Sequence, residues 1–278
     1  MSWNLVADTS CDLNALPIPD ENVHFESVPF VIQAGEHEFV DEVGLDVPNM
    51  VATLEATKEP GHTACPSPES WLEKFSRPGK VIAITISANL SGSFNSAMLA
   101  RQMILDKAPD RQIEVIDSKS AGSELTMMIR KAQELIKEGH PFDAVVQQVR
   151  DFAERTHTVF ALSSFDNLVK NGRVGKLAGF VAGKLGLWGI GIASPEGTID
   201  IKSKVRGTQK ALAAIVADMK ERAFAGGPVV ITHCLNLEAA ERLKALILES
   251  FHNARVDIIP TRGLCSFYAE KGGMIIAF

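Results

Sequence analysis

Apolar runs with the length of buried strands alternate with helix-like segments through the first half of the chain. The runs cover residues 3–7, 80–86 and 113–116, and helical patterns over 94–106 and 125–138 follow the last two. Each run ends in a loop rich in Asp, Ser and Thr, side chains that favour caps and turns. Strand, loop and helix in repeated succession predict a parallel sheet with helices packed on it.

The pattern changes in the second half of the chain. A strand is predicted at 158–162, and a hairpin with strands at 190–192 and 198–201 follows it. Strand and helix patterns then alternate to the end of the sequence, which favours a mixed sheet. We therefore predict two domains, residues 1–156 and residues 157–278, that pack closely and leave a cleft between them.

Composition and charge narrow the class of protein. Of the 278 residues, 46% are hydrophobic and 22% are charged, which indicates a folded globular protein and not a disordered or fibrous one. Lys and Arg number 28 against 34 Asp and Glu, and no basic cluster interrupts the net charge of −6. We therefore do not expect nucleic acid as a partner, because phosphate neutralisation needs clustered positive charge.

The compartment is predicted from the start of the chain and from its cysteines. The first residues form no basic leader, and the longest apolar stretch, residues 185–193, is about half as long as a membrane span. Cys11, Cys65, Cys234 and Cys265 are scattered, which favours free thiols. We expect a cytoplasmic protein without a transmembrane segment.

Motifs of nucleotide, hydrolase and metal chemistry are missing from the sequence. The segment Gly183-Lys184-Leu185 lacks the earlier glycine and the Ser or Thr of a phosphate loop, and no G-x-G-x-x-G follows a predicted strand. Ser91 is preceded by Asn89 at the position where a hydrolase elbow needs glycine. Cys and His residues form no closely spaced ligand set. We therefore predict no catalytic residue, no metal and no cofactor.

Polar loops at residues 8–12, 63–68 and 87–93 are expected at the carboxyl ends of the parallel strands, where open α/β sheets bind ligands, and the last two carry the candidate binding residues. Thr63 opens a segment that ends in Ser67-Pro68, a helix N-cap followed by proline at the first helical position, so its backbone is stiff. In the turn Ser91-Gly92-Ser93, glycine lets the backbone approach a ligand, and the hydroxyls and N–H groups at the helix start form a cradle for a carboxylate or phosphate. The alternative is that Ser91 and Ser93 only cap the helix.

Other residues near these loops have two interpretations. Asp8, Ser10, Asp117 and Ser118 either form caps and turns or orient the cradle from behind. Arg173 lies either on the surface or against an oxyanion that it binds with its forked guanidinium group. A glycine-rich apolar set either fills the core or lines a channel, and it comprises Leu177, Phe180, Val181, Leu185, Leu187, Trp188 and Ile190.

Several motifs follow one another over nearly the whole chain, at residues 8–13, 63–68, 86–97, 116–118, 168–174 and 204–208. In content and order they resemble those of the DegV family of fatty-acid-binding proteins. The resemblance implies an N-terminal three-layer α/β/α domain with a parallel sheet and a C-terminal two-layer α/β domain with a mixed sheet. It also implies a long-chain fatty acid between the domains and, as in some members, a non-catalytic, acyl-carrying subunit that serves a fatty-acid kinase.

The resemblance also implies residue roles. Thr63, Ser91, Gly92 and Ser93 are expected to bind the fatty-acid carboxylate. The expected acyl-chain pocket comprises Phe165, Leu168, Leu177, Phe180, Val181, Leu185, Trp188 and Ile190. Residues expected to support this site or to contact the kinase partner are Asp8, Ser10, Asp117, Ser118, Arg173, Arg206 and Glu270.

Two positions depart from the family pattern. Ala64-Cys65 stands where Ser-Gln is usual, which makes the cradle less polar. Glu270 stands where many members have a histidine that reaches the carboxylate, and an ionised glutamate there repels an acid unless Lys271, Arg262 or protonation offsets it. Two other functions stay open: a hydrolase or phosphotransferase that uses Ser91, and a binder of another apolar anion.

Overall fold

The computed structural model describes residues 2–174 and 186–278, in which strands and helices alternate. The elements up to the middle of the chain are β1 (Trp3–Asp8), a 3-10 turn (Thr9–Cys11), β2 (Val23–Val28), β3 (Val31–Ala34), β4 (His37–Val40), α1 (Val47–Ala56), β5 (His62–Ala64), α2 (Pro68–Phe75), β6 (Lys80–Thr85), α3 (Ser93–Leu105), β7 (Ile113–Asp117), α4 (Ser123–Lys137) and α5 (Phe142–Ala153). The later elements are β8 (Thr158–Leu162), α6 (Asp166–Lys170), β9 (Leu187–Ala193), β10 (Ile199–Arg206), α7 (Thr208–Glu221), β11 (Gly227–His233), α8 (Leu237–Ser250), β12 (Ala254–Pro260), α9 (Gly263–Ala269) and β13 (Met274–Ala277).

Four parallel strands in the order β2-β1-β6-β7 form the first sheet. Side chains alternate along β6: Val81 and Ala83 pack with α2 and α3, whereas Ile82 and Ile84 pack with α4 and α5. Because both faces are covered by helices, the strand is apolar from Val81 to Ile84. The predicted parallel sheet and its three layers are confirmed.

The second sheet has the order β10-β9-β8-β13-β11-β12. Strands β11 and β12 are parallel and the other neighbours are antiparallel, which confirms a mixed sheet. Helices α7 and α8 cover one face. The predicted hairpin is β9 and β10, whose turn is closed by the Ser194 N–H donating to the Thr198 carbonyl at 2.9 Å. The proposed boundary after residue 156 falls between α5 and β8 and stays a prediction.

A third, three-stranded antiparallel sheet, β4-β3-β5, was not predicted. Ile32 of β3 shares a core with Met50 of α1 and with Phe160 and Phe267 of the second half of the chain. This sheet changes the origin of one polar loop. Residues 63–68 were expected at the carboxyl end of the parallel sheet, but they leave β5 of the small sheet; that placement was wrong.

The two faces of β8 belong to different environments. Val159 and Ala161 face the core beneath α7, whereas Phe160 and Leu162 face the opposite side. Across the sheet, Phe160 pairs with Gly191 of β9, and a Cβ atom at Gly191 would collide with the Phe160 ring. The absence of a side chain at position 191 therefore lets the aromatic ring lie against the sheet.

Candidate functional site

A cavity lies between the first and second sheets, and the empty space in it, including the solvent at its opening, is about 820 Å³. The loops after β6 and β7 form one side, β8 and β13 form another, and α9 contributes a third. Most of the lining is apolar, and it includes Phe30, Ile86, Leu90, Ala121, Phe160, Leu162, Leu168, Ile199, Leu264 and Ile275. A ligand that fills this space must itself be largely apolar.

Four half-buried polar residues in the lining form the mouth of the cavity: Thr63, Ser91, Arg173 and Tyr268. The Thr63 and Tyr268 hydroxyls are hydrogen-bonded at 2.9 Å. The Arg173 guanidinium lies 6.0 Å from the centre of the Tyr268 ring, and its Nε donates to the Leu90 carbonyl at 3.2 Å, next to Ser91. Three hydroxyls and one permanent positive charge therefore meet at the opening, a set suited to an anionic oxygen.

The turn before α3 is held by hydrogen bonds of its own. The Ser91 Oγ accepts from the Ser93 N–H at 3.2 Å, and the buried Ser93 hydroxyl donates to Asp8 at 2.6 Å. Gly92 is the N-cap residue of α3 and is exposed. Ser91 thus caps the helix start while it lines the cavity. The expected roles of Gly92 and Ser93 stay predictions, and the Ser93 N–H becomes free only if the Ser91 hydroxyl turns away.

Asp8 supports this turn from the end of β1. Its carboxylate accepts from the Ser10 and Ser93 hydroxyls and from the Ser10 and Ile86 N–H groups. Burial raises its pKa, and these hydrogen bonds oppose the rise. Asp8 therefore ties the ends of β1 and β6 to the beginning of α3, which fixes the position of Ser91.

The loop after β6 has a second support at the end of β7. The Asp117 carboxylate accepts from the Ala88 N–H at 3.1 Å and from the Lys119 N–H at 2.9 Å. The Ser118 hydroxyl donates to the Ser120 carbonyl at 3.1 Å. Asp117 and Ser118 thus shape the two loops that line one side of the cavity. Neither of these two residues lines the cavity itself.

Sequence reasoning missed Arg262 and Asp41, which dock α9 onto the first half of the chain. The Asp41 carboxylate accepts from the Gly263 and Leu264 N–H groups at 2.9 and 2.8 Å, and Arg262 Nε lies 3.5 Å from it. The main-chain N–H of Arg262 also donates to the Asp12 carboxylate at 2.8 Å. Because Leu264 and Tyr268 of α9 line the cavity, this buried joint positions one cavity wall. Lone charged residues more than 200 positions apart carry no pattern that predicts such pairing.

Tyr268 was also missed, although it is the only tyrosine in the chain. Glu270, two residues later, was aligned with the family's histidine. Glu270 directly follows α9, and its carboxylate lies at the start of α6, where it accepts from the Asn167 N–H at 3.1 Å. Burial raises its pKa. It is not among the described residues that line the cavity, and Arg206 is exposed at the end of β10.

The predicted acyl-chain pocket is only partly recovered. Leu168 lines the cavity, and Phe165 is buried beside it, with its ring centre 6.3 Å from that of Phe160. Trp188 and Ile190 were placed wrongly: they belong to the core beneath α7, since Ile190 pairs with Ala161 on the face opposite Phe160. Four other predicted lining residues lie outside the described part of the chain: Leu177, Phe180, Val181 and Leu185.

Across residues 2–174 and 186–278, no helix is long and apolar enough to cross a membrane. The same residues contain no group of three or more His, Cys, Asp or Glu side chains arranged to hold a metal ion. The four cysteines are free thiols.

The fold and the cavity define a class: an α/β protein with a parallel and a mixed sheet and, between them, an apolar cavity that carries polar residues in its lining. The DegV family model matches residues 2–278, and the chain belongs to the DegV family. A DegV domain-containing protein of Streptococcus pneumoniae is 41% identical over 278 residues, which cover 100% of this chain and 99% of that protein.

Two solved structures have the same fold as this chain. The Fatty Acid Kinase (Fak) B3 protein of Streptococcus pneumoniae, loaded with linoleic acid, matches with a TM-score of 0.97 and 41% identity, covering 100% of this chain and 99% of that one. A DegV family protein from Eubacterium eligens, loaded with heptadecanoic acid, matches with a TM-score of 0.94 and 35% identity, covering 99% of both chains.

Proposed function

We propose that this protein binds a long-chain fatty acid in the cavity, with the carboxylate at the mouth. The observation that carries the proposal is an apolar cavity, open to solvent, whose described lining includes the half-buried hydroxyls of Thr63, Ser91 and Tyr268 and the cation of Arg173. The fatty acids in the two similar structures support the choice of ligand.

The tail and the head group of the fatty acid contribute differently to the free energy of binding. About fourteen methylenes, at roughly 0.8 kcal/mol each, gain on the order of 11 kcal/mol when they leave water. The tail therefore supplies the affinity. An unpaired carboxylate would cancel much of that gain, so the head group has to find donors. The Thr63, Ser91 and Tyr268 hydroxyls and Arg173 supply them.

We further propose that the chain presents the carboxylate to a separate kinase and does no chemistry of its own. A carboxylate held by hydroxyls at an opening is accessible to a partner, and the Fak B3 relative supports this role. The alternative of a hydrolase that uses Ser91 lacks a base: the described lining residues include no histidine, and the Ser91 Oγ accepts from a backbone N–H.

Ligand extraction and a paired substitution test the binding role. Lipid extracted from the purified protein should contain long-chain fatty acid by mass spectrometry. Thr63→Val combined with Ser91→Ala should weaken fatty-acid binding about 10- to 100-fold, because two hydrogen bonds to a charged group are lost. Titration calorimetry measures the affinity. Ser96→Ala on α3, away from the cavity lining, is the control and should bind like the wild type.

Two results would contradict the binding role: no lipid in the extract together with no binding of added fatty acid, or unchanged affinity in the double variant, which would place the head group elsewhere. The kinase role has a separate readout. With ATP, the protein alone should form no acyl phosphate, and addition of a fatty-acid kinase catalytic subunit should give acyl phosphate that hydroxylamine traps as the hydroxamate. Trapped product without the kinase would overturn the non-catalytic assignment.

A further inference from the structure

A chain of three buried polar groups crosses from the first sheet to the second. The Ser120 hydroxyl donates to Thr158 Oγ1 at 2.9 Å, and the Thr158 hydroxyl donates to the Glu124 carboxylate at 2.6 Å. Ser120 follows β7, Glu124 lies in the first turn of α4, and Thr158 begins β8. All three residues are buried.

This chain reaches the cavity away from the mouth. Ser120 and Thr158 are both lining residues. Along the cavity face of β8 the order is Leu162, Phe160, Thr158, so Thr158 lies about 13 Å from Leu162 at the usual rise of a strand. Leu162 shares a core with Leu168, which is close to Arg173 at the mouth because the Arg173 N–H donates to the Leu168 carbonyl. A bound chain therefore passes apolar residues before it reaches Thr158 and Ser120.

Pairing the hydrogen-bond donors of the three groups with their acceptors leaves one acceptor, Ser120 Oγ, without a donor. While Glu124 is ionised, each hydroxyl has one proton and both protons are used: that of Thr158 toward Glu124, and that of Ser120 toward Thr158 and Glu124. Thr158 Oγ1 accepts from Ser120. No described residue donates to Ser120 Oγ, so its lone pairs have no partner. Such an acceptor at the wall of an apolar cavity is costly to leave beside a pure hydrocarbon.

We propose that the cavity takes acyl chains that carry a hydroxyl group along the chain, and that Ser120 Oγ accepts a hydrogen bond from that hydroxyl. The proposal rests on the fatty-acid-binding function and specifies its ligand class. Above about pH 7, where Glu124 is ionised, the geometry favours a hydroxyl over a ketone, because a ketone only accepts and Ser120 has no proton left to donate. Ser120 is thus a specificity-determining residue in the wall.

The wild-type protein gives the first test. Affinities are measured for stearic acid, for hydroxystearic acids that differ in the position of the hydroxyl, and for the oxostearic acids with the ketone at the same positions. We expect one hydroxy isomer to bind about five- to tenfold more tightly than its oxo counterpart, the effect of one hydrogen bond. Equal affinities of hydroxy and oxo acids at every position would overturn the proposal.

A substitution gives the second test. Ser120→Ala should abolish the preference for the hydroxy isomer and leave stearic acid affinity within about twofold. Thr198→Val removes a different hydroxyl from the lining and should leave the preference intact. A preference that survives Ser120→Ala contradicts the assignment to Ser120. If Ser120→Ala does not fold, the wild-type comparison of hydroxy and oxo acids still decides.

The two proposals fail in different ways. Absence of binding to every acid, stearic acid included, would overturn the proposed function. Binding of stearic acid with no hydroxy isomer preferred would overturn only the ligand class.

Discussion

Two buried carboxylates connect the first half of the chain to the second, and they are bonded in different ways. Asp41 accepts from two main-chain N–H groups at the start of α9 and lies beside the Arg262 guanidinium. Glu124 accepts from the Thr158 hydroxyl, and among the described residues no cationic side chain forms an ion pair with it. Burial raises the pKa of both groups, that of Glu124 to about 7, while Arg262 opposes the rise at Asp41.

The difference shows what each joint can do. Main-chain N–H groups and arginine only donate, so the Asp41 joint has one arrangement and fixes α9 firmly. Hydroxyls both donate and accept, so the Glu124 joint can leave an acceptor at the cavity wall and can gain a proton near neutral pH. A structural connection and a polar group at the cavity wall thus use the same carboxylate chemistry with different partners.

The largest effect is expected at the Asp41 joint. Arg262→Leu leaves the buried Asp41 carboxylate without its cationic neighbour, and breaking a buried pair costs about 3–5 kcal/mol. Chemical denaturation should show this loss of unfolding free energy. Arg77→Leu, which removes a half-exposed pair with Glu26, should cost less than about 1 kcal/mol. Similar costs for the two variants would show that the joint is not a main support.

Glu124 should make stability depend on pH. Its pKa is about 7 in the folded protein against 4.5 in the unfolded chain, so the folded state keeps a proton that the unfolded state releases. The contribution of this proton to the free energy of unfolding is therefore complete below about pH 4.5 and is lost as the pH rises through 7. It is on the order of 3 kcal/mol. Glu124→Gln should remove it: the difference in unfolding free energy between variant and wild type should grow from about pH 5 to pH 8. Parallel curves would contradict an acid titrating at this site. Asp12, whose pKa burial also raises to about 7, is common to both proteins and cancels.

The smallest effect is expected from a change that keeps the hydroxyl of the Glu124 joint. Thr158→Ser loses one buried methyl group and should cost about 1 kcal/mol, with the same pH profile as the wild type. Thr158→Val removes the hydroxyl and should cost more, because Glu124 then loses its donor. Equal unfolding free energies for the Ser and Val variants would mean that the hydrogen bond contributes nothing.

Strong periodicity made most of the fold predictable, and short elements were missed. The strand Thr158–Leu162 has the bounds that the pattern predicts, and the helix predicted at 94–106 is Ser93–Leu105 in the structure. Strand β5 has three residues, and β4 is mostly exposed, so neither shows a hydrophobic alternation. Helix α9 has seven residues, and the carboxylate that accepts its first N–H groups belongs to Asp41, far away in sequence.

The site was predictable only where local chemistry marks it. The Thr63 and Ser91 loops stand out because proline, glycine and serine have local conformational roles. The face of a strand is harder to assign: between Leu187 and Ala193 the large residues and glycines alternate, so the sequence shows two faces without showing which one meets the cavity. Trp188 was assigned to the wrong face for that reason.

Gly191 lies behind the Phe160 ring, and the ring forms part of the cavity wall. A methyl group at position 191 would lie 2.2 Å from the Phe160 ring and 2.6 Å from the Asp200 carbonyl oxygen of β10, so Gly191→Ala should displace the ring and strain the hairpin, although residue 191 is not among the described lining residues. Crystal structures of the wild type and of Gly191→Ala should show the Phe160 ring displaced in the variant. An unmoved ring would contradict this prediction. Under the proposed function, a residue hidden one layer behind the lining thus helps to set the length of the acid that fits.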